Sequence, residues 1–406
     1  MFLAPFQILL LAAYLMPGAS SHPYGPETNN AIFFLTNDQT NAVVAIPIGA
    51  DGKLSGGTVT GTGGAGSNSI NGNTNEPASP DPLIGQSAIV VAGQNVFAVN
   101  AGSNTLSMLS IDMQDPTKLT MVGQPMPVQG EFPNTVAVSM KNRLVCVGTT
   151  GAKNGVSCAT FSKQGLDPFD DLRSFGLVQS TPPVGPTNSV SQLFFSEDQT
   201  MLFATVKGDP AVNATGFFSA FPVQNAAGWP GKGGASLATM DTRSSPAGTA
   251  VLFGSANIPG TSSVFVTDAS FGGAILSVNP ANGQATLVAK QTIDGQAATC
   301  WVTISRMTGS AFVTDVLRSR IVEMDVTNAS ILSITDLSAT GSPGFLDLIS
   351  AGFAIYVLAP GNATTPSAVT VLDVSGGQGN AKLLQQFDVS SLGVGSNAQG
   401  MAMLRK

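Results

Sequence analysis

The sequence holds one histidine, His22, in a polar stretch near its N-terminus. That scarcity excludes most hydrolytic and metal chemistry from the rest of the chain. A Ser-His-Asp triad or a Cys-His pair needs an imidazole to move the proton. Zinc and non-haem iron centres rely heavily on histidine ligands. No Gly-x-Ser-x-Gly elbow, phosphate-binding loop or EF-hand spacing occurs either. No metal or cofactor is therefore expected. Carboxylates, amides and guanidinium groups remain. The candidates precede or follow short apolar runs: Gln86, Glu131, Asn134, Asn188, Gln296 and Gln399 before them, and Asn37, Asn100, Asp268, Asp315 and Arg318 after them. Drawn into a ring, such a mixture of donors and acceptors suits a polar small molecule or a carbohydrate. The Asn and Asp residues have a competing use in Asx turns at strand ends. Glu131, in GEFPNTVAVS, adjoins Phe132, which could desolvate the carboxyl and raise its pKa. Paired with Arg318 it is the candidate catalytic residue.

The elements that would position these groups are strands. An apolar strand with an aromatic or aliphatic anchor recurs seven times, in IFFLTN, VFAVNA, LVCVGT, LFATVK, VFVTDA, AFVTDV and IYVLAP. The anchors Phe34, Phe97, Val145, Phe203, Phe265, Phe312 and Tyr356 lie 44 to 63 residues apart. That spacing fits four-stranded propeller blades with loop insertions. Before most anchors stands a further apolar run, at 88–91, 136–138, 190–195, 250–253, 300–304 and 345–349, read as strands lining a central channel. Phe34 has no such run before it, whereas an unused run, Met401 to Leu404, follows the last repeat. The chain is thus expected to be all-β, a seven-bladed β-propeller whose residues 398–404 supply the inner strand of blade one and remove exposed sheet edges. Two β-sandwiches would not explain seven repeats or orphan strands at both ends. Residues 63–84 form a long Gly/Asn-rich loop, expected to be mobile or to gate the mouth of the channel.

Residues 1–20 read as a signal peptide: an apolar run from Phe6 to Leu15, too short for a bilayer, precedes Pro17-Gly18 and small residues. The remainder, 21–406, reads as one secreted, extracellular domain. Asn213, Asn328 and Asn362 stand in glycosylation sequons. With 17 Lys and Arg and a net charge of −7, the chain lacks the clustered cations that nucleic acid requires. Nor is there a basic amphipathic helix for a membrane surface. A monomer is expected. Cys146 and Cys158 flank a turn-rich segment. In a hairpin symmetric about residue 152 they fall opposite each other, within disulfide reach. Buried free thiols are the alternative. Cys300 is left over as a core thiol.

The segments VFAVNAGSNTLSMLSIDMQDPTKL and GEFPNTVAVS resemble the seven-bladed propeller lactonase family, most closely fungal secreted 3-carboxymuconate cyclase-like proteins. The resemblance covers the whole mature chain. It implies a propeller, and lactonase or 3-carboxymuconate cyclase chemistry in an axial pocket. Catalytic members commonly introduce inner strands with His in a Pro-His-Ser-Val-like context, with Arg and Glu completing the site. The matching stretches here are Pro133-Asn134-Thr135-Val136 and Thr187-Asn188-Ser189-Val190. Asparagine hydrogen-bonds but exchanges no proton near neutral pH. The leading expectation is therefore a binding or adhesion module for a polar small molecule, a carbohydrate or an extracellular protein. The alternatives are an enzyme using Glu131 and Arg318, or a purely structural surface protein.

Overall fold

A computed structural model describes residues 30–225 and 234–404. The expected signal peptide and His22 lie outside the described residues. Seven antiparallel sheets make up the architecture, accompanied by one two-stranded parallel pair and three short 3-10 turns. Blade five is representative. It runs from Leu252–Asn257 on the inside through Ser263–Asp268 and Gly272–Val278 to Ala285–Thr292 on the rim. The inner strands of blades two to seven are Ile89–Ala92, Pro133–Ser139, Val190–Phe195, Leu252–Asn257, Thr299–Ile304 and Leu348–Ala351. Each overlaps or directly adjoins the apolar run expected for it. All seven anchors sit on second strands and are buried.

Burial explains the repeat. Inner and second strands are covered on both faces by neighbouring blades, so they read as near-continuous apolar runs rather than alternating ones. The outermost strand of blade five, by contrast, alternates in exposure along ATLVAKQT. The hydrophobic clusters lie between blades. One packs Phe34 and Ile46 of blade one against Tyr356 and Val371 of blade seven. Another packs Val156 and Cys158 of blade three against Leu193 and Val206 of blade four.

The ring closes as expected. Gln399–Met403 pairs antiparallel with Asn30–Leu35, with Met403 opposite Ile32 and Ala402 opposite Phe33. The segment around residue 59 is also a strand, Thr58–Gly61, and completes the rim of blade one. Cys146 and Cys158 are direct cross-strand partners on Leu144–Thr150 and Asn154–Ser162 and form a disulfide. Cys300 is free and buried. Among the described residues no helix is long and apolar enough to cross a membrane.

Removing residues 399–406 strips blade one of its inner strand and exposes the faces that bury Met401, Met403 and Leu404. At about 1.5–3 kcal/mol per fully buried side chain the loss is roughly 5 kcal/mol or more. A drop in Tm of about 6 °C or more follows by calorimetry. A truncated chain that melts with the full-length one would exclude closure as a stabilising contact.

Candidate functional site

Loops that enter the inner strands and loops that leave the second strands share one face, here the upper face. The site expected there is occupied by the chain itself. Residues 62–87 cross this face, and residues 81–86 (Asp-Pro-Leu-Ile-Gly-Gln) are buried without interruption at the axis. Their backbone polar groups are satisfied from across the ring. Asn134 of blade three donates Nδ2 to Leu83 O at 3.2 Å. Lys207, just past the second strand of blade four, donates Nζ to Ile84 O at 2.5 Å. Trp301 of blade six donates its indole N–H to Gly85 O at 3.2 Å, and Gln399 of blade one donates to the same oxygen at 2.9 Å. Gln86 behaves like an added piece of strand. Its Oε1 accepts from Val302 N at 3.2 Å and its Nε2 donates to Val302 O at 2.9 Å. Backbone buried in a protein interior must find such partners.

Tight fit explains the local residue types. A Cβ on Gly85 would lie 2.7 Å from Ser191 O and 2.8 Å from Asn134 Nδ2. Ile84 is β-branched yet adopts φ of 46°, and Asp81 and Ser87 both adopt 67°. A left-handed isoleucine is costly and persists only where its surroundings over-determine it. Here the carbonyl bonds and the burial of Leu83 and Ile84 do so.

The expected gating loop is therefore corrected. Its longest exposed part spans residues 72–77, but its end is core. Composition misled because Gly and Asn are also what a buried, sharply bent segment uses when distant side chains cap it. The outer part is tied down as well. Asn37 donates to Ser67 O at 2.9 Å, Asn68 donates to Asn397 Oδ1 at 2.8 Å, and Ile70–Asn71 pairs with Val184–Gly185.

The other candidates are spread around the upper face. Asn188 donates to Val178 O at 2.9 Å. Glu131 accepts from Thr181 Oγ1 at 2.6 Å, with Lys153 Nζ 3.8 Å away, so its side chain turns to the surface rather than under the buried Phe132. Asp268 accepts from the N–H groups of Ala250 and Val251. Asp315 does the same for Ala297 and Ala298 one blade on. Gln296 accepts from Thr299, and Arg318 donates Nε to Gly295 O at 2.7 Å. Gln296, Asp315 and Arg318 are thus neighbours at the mouth of blade six. Glu131 is held in the loop entering blade three, and no hydrogen bond or ion pair among the described residues joins it to Arg318, Asp268 or Asp315. Glu131 stands before the inner strand of blade three and Arg318 opens the third strand of blade six.

Four titratable groups missing from the expected set gather at the axis: Asp81, Lys207, Cys300 and Asp347. Burial raises Asp81 to about 6, against the opposing pull of Lys207 and a bond from Gln399 Nε2 at 3.2 Å. Burial raises Asp347 to about 7, although the Leu348, Ser87 and Met401 N–H groups favour its charged form. Lys207 is lowered to about 8 by burial and lies 4.3 Å from the Phe253 ring centroid. Burial also pushes the Cys300 thiol well up, which disfavours its thiolate. The signal for Lys207 was a lone lysine closing the apolar run LFATVK. Among the described residues no group of three His, Cys, Asp or Glu is placed to hold a metal ion.

The channel is open from the opposite, lower face. A cavity of about 320 Å³ there is lined by Ser87, Val90, Val136, Val138, Leu193 and Phe195, among others. Ser87 forms part of its lining and accepts from Gln192 Nε2 at 3.1 Å.

Two measurements check this arrangement. Leu83→Ala removes a fully buried side chain and is expected to cost about 3 kcal/mol, as core truncations do. Shortening the exposed residues 72–77 should leave Tm within about 1 °C, against about 4 °C for Leu83→Ala. Equal effects of the two changes would return the whole segment to the status of a surface loop. The second concerns pH. Asp81 and Asp347 carry folded pKa values above the unfolded ones, so folding takes up protons between about pH 4 and 7. Stability then rises as pH falls through that window. Lys207 acts between about 8 and 10.5, where stability rises with pH. Asp198 and Asp325, whose pKa values are lowered by hydrogen bonds, lose their contribution only below about 4. Urea midpoints at pH 5 should exceed those at pH 7.5 by the equivalent of roughly 3–4 kcal/mol, and Asp347→Asn should remove more than half of the difference. A midpoint that falls on acidification to pH 5 would contradict the assignment.

No family model and no curated protein matches the chain. Solved structures do resemble it. The Pseudomonas aeruginosa periplasmic gluconolactonase aligns with a TM-score of 0.61 at 14% identity, over 93% of this chain and 99% of that one. Putative 6-phosphogluconolactonases from Bacteroides fragilis and Bacteroides uniformis each align with a TM-score of 0.55. Their identities are 12% and 16%, over 94% and 91% of this chain and 100% and 99% of theirs. By fold, the chain is a seven-bladed propeller of the kind seen in these lactonase structures.

Proposed function

We propose that this chain is a secreted, glycosylated binding propeller rather than a lactonase or 3-carboxymuconate cyclase. One observation carries the reading: residues 81–86 occupy the axial position on the upper face and engage the donors that would otherwise meet a substrate. Glu131 and Arg318 offer no substitute, since they work in separate blades. The amides Asn134 and Asn188 are held by backbone carbonyls and provide no proton relay. The expected ring of sugar-binding groups is spent on the chain's own backbone, so ligand chemistry follows the lower face, whose lining sets Val90, Val138 and Phe195 beside Ser196, Glu197 and Gln199.

A secreted location is supported by the apolar leader and by the Cys146–Cys158 disulfide, which belongs to oxidising compartments. Asn213, Asn328 and Asn362 lie exposed on loops, where a glycan meets no steric obstacle from the core.

Purified protein incubated with five- and six-membered lactones and carboxymuconates should give no turnover above buffer, while retaining its native melting transition. Saturable turnover that disappears in Glu131→Gln or Arg318→Met would restore the enzyme reading.

A further inference from the structure

The lower-face cavity does not end at the axis. A second cavity of about 290 Å³ lies between blades four and five, and both share Ser196, Glu197 and Asn257. Together they form a bent groove from the channel floor at Ser87 outward to Met201, Phe203 and Pro280. Each cavity approaches the small end of the range for ligand pockets, roughly 300–1,000 Å³. The axial part is walled by Val90, Val136, Val138, Leu193 and Phe195 from three adjacent inner strands.

Charge in the groove has one sign. Glu197 lines both cavities and Asp198 lines the outer one, with no Lys or Arg in either lining. Asp198 is already committed: its carboxylate accepts from Ser196 Oγ at 2.7 Å and from Thr200 Oγ1 at 2.8 Å. Glu197 accepts from Gly260 N through Oε2 at 2.8 Å, and among the described residues Oε1 has no protein partner. Lys141 lies alongside: its ammonium donates to the Asp198 carbonyl oxygen at 3.0 Å and its charge also favours the ionised Asp198 carboxylate, which leaves Glu197 as the carboxylate for a ligand. Asn257, at the junction, commits Nδ2 to Phe195 O at 2.8 Å. The groove therefore offers an apolar wall with one available carboxylate at its bend.

We infer that this groove binds a small amphipathic molecule with an apolar body in the axial cavity and a cationic end at Glu197. The inference rests on the reading of the chain as a binding propeller and supplies its ligand class. A carboxylate-ended molecule of the same length would meet Glu197 as a like charge, and an uncharged one would gain only the apolar contact. The overall charge of −7 adds attraction for a cation at low salt.

Isothermal titration with octylammonium, octanoate and 1-octanol at pH 7 tests it. Octylammonium should bind about fivefold or more tighter than octanoate, an advantage that shrinks in 0.5 M salt, as expected of an exposed charge. Glu197→Gln should bring the two ligands within about twofold of each other, because a single exposed pair is worth little more. Val138→Trp should fill the axial cavity and weaken all three ligands about tenfold. If that variant does not fold, Val90→Phe serves, since Val90 is also only half-buried on the same wall. Octanoate binding as well as octylammonium, preference retained in Glu197→Gln, or no binding of any of the three would each overturn the inference. These outcomes are separate from the lactone assay. Turnover there would sink the non-catalytic reading, whereas loss of amine preference would sink only the ligand class.

Discussion

A ring of seven inner strands leaves an axial hole, and what fills it governs the rest of this molecule. Strand ends at the axis present backbone and side-chain polar groups that cannot be left dry without partners. Here the filling is peptide. Leu83 O, Ile84 O and Gly85 O accept from Asn134, Lys207, Trp301 and Gln399, which come from blades three, four, six and one. Because these blades are far apart in sequence, residues 81–86 act as a hub that ties the ring across its middle. Closure by Gln399–Met403 ties it around its edge. The two devices meet at Gln399, which pairs with Leu35 in blade one and donates to Asp81 and Gly85 at the axis.

The hub also accounts for the buried charges. An ammonium and two carboxyls away from water carry a desolvation cost that a single ion pair rarely recovers. The pKa directions express this: both carboxyls move toward the neutral acid and the amine toward the neutral base. Lys207 is kept because Ile84 O needs a donor that reaches the axis from the end of a strand, and a long side chain with an apolar stem beside Phe253 provides it. Asp347 leaves Oδ2 without a hydrogen-bond partner, consistent with a carboxyl that is substantially protonated at neutral pH.

Much of the scaffold was legible because it is repetitive. Phe97, Phe265 and Phe312 mark equivalent strands, and burial on both faces forces the same apolar run each time. Closure was legible from the unmatched run at Met401, and the disulfide from the symmetry of its hairpin. The axial hub was not, since its residues are local in sequence while every partner is distant. Nothing in Asp81-Pro82-Leu83-Ile84 says that Lys207 or Trp301 will meet it. The candidate polar ring was half legible. Asn134, Gln86 and Gln399 do converge on the axis, but as clamps for backbone, whereas Asp268 and Asp315 make the strand-end turns that compete for such residues.

Sealing one end of the channel changes what the other end can be. The upper face concentrates the polar loops, yet its central donors are saturated from within, so a ligand there would have to replace several hydrogen bonds at once. The lower face offers half-buried Val90 and Val138 and a Glu197 with one oxygen uncommitted, while its other polar groups, among them Gln199 and Asn257, bond internally. Apolar contact in the channel can supply affinity without orientation, and a single carboxylate at the bend can supply orientation with little affinity of its own. On the proposed binding reading, that division of labour is what a propeller with a self-filled axis leaves available.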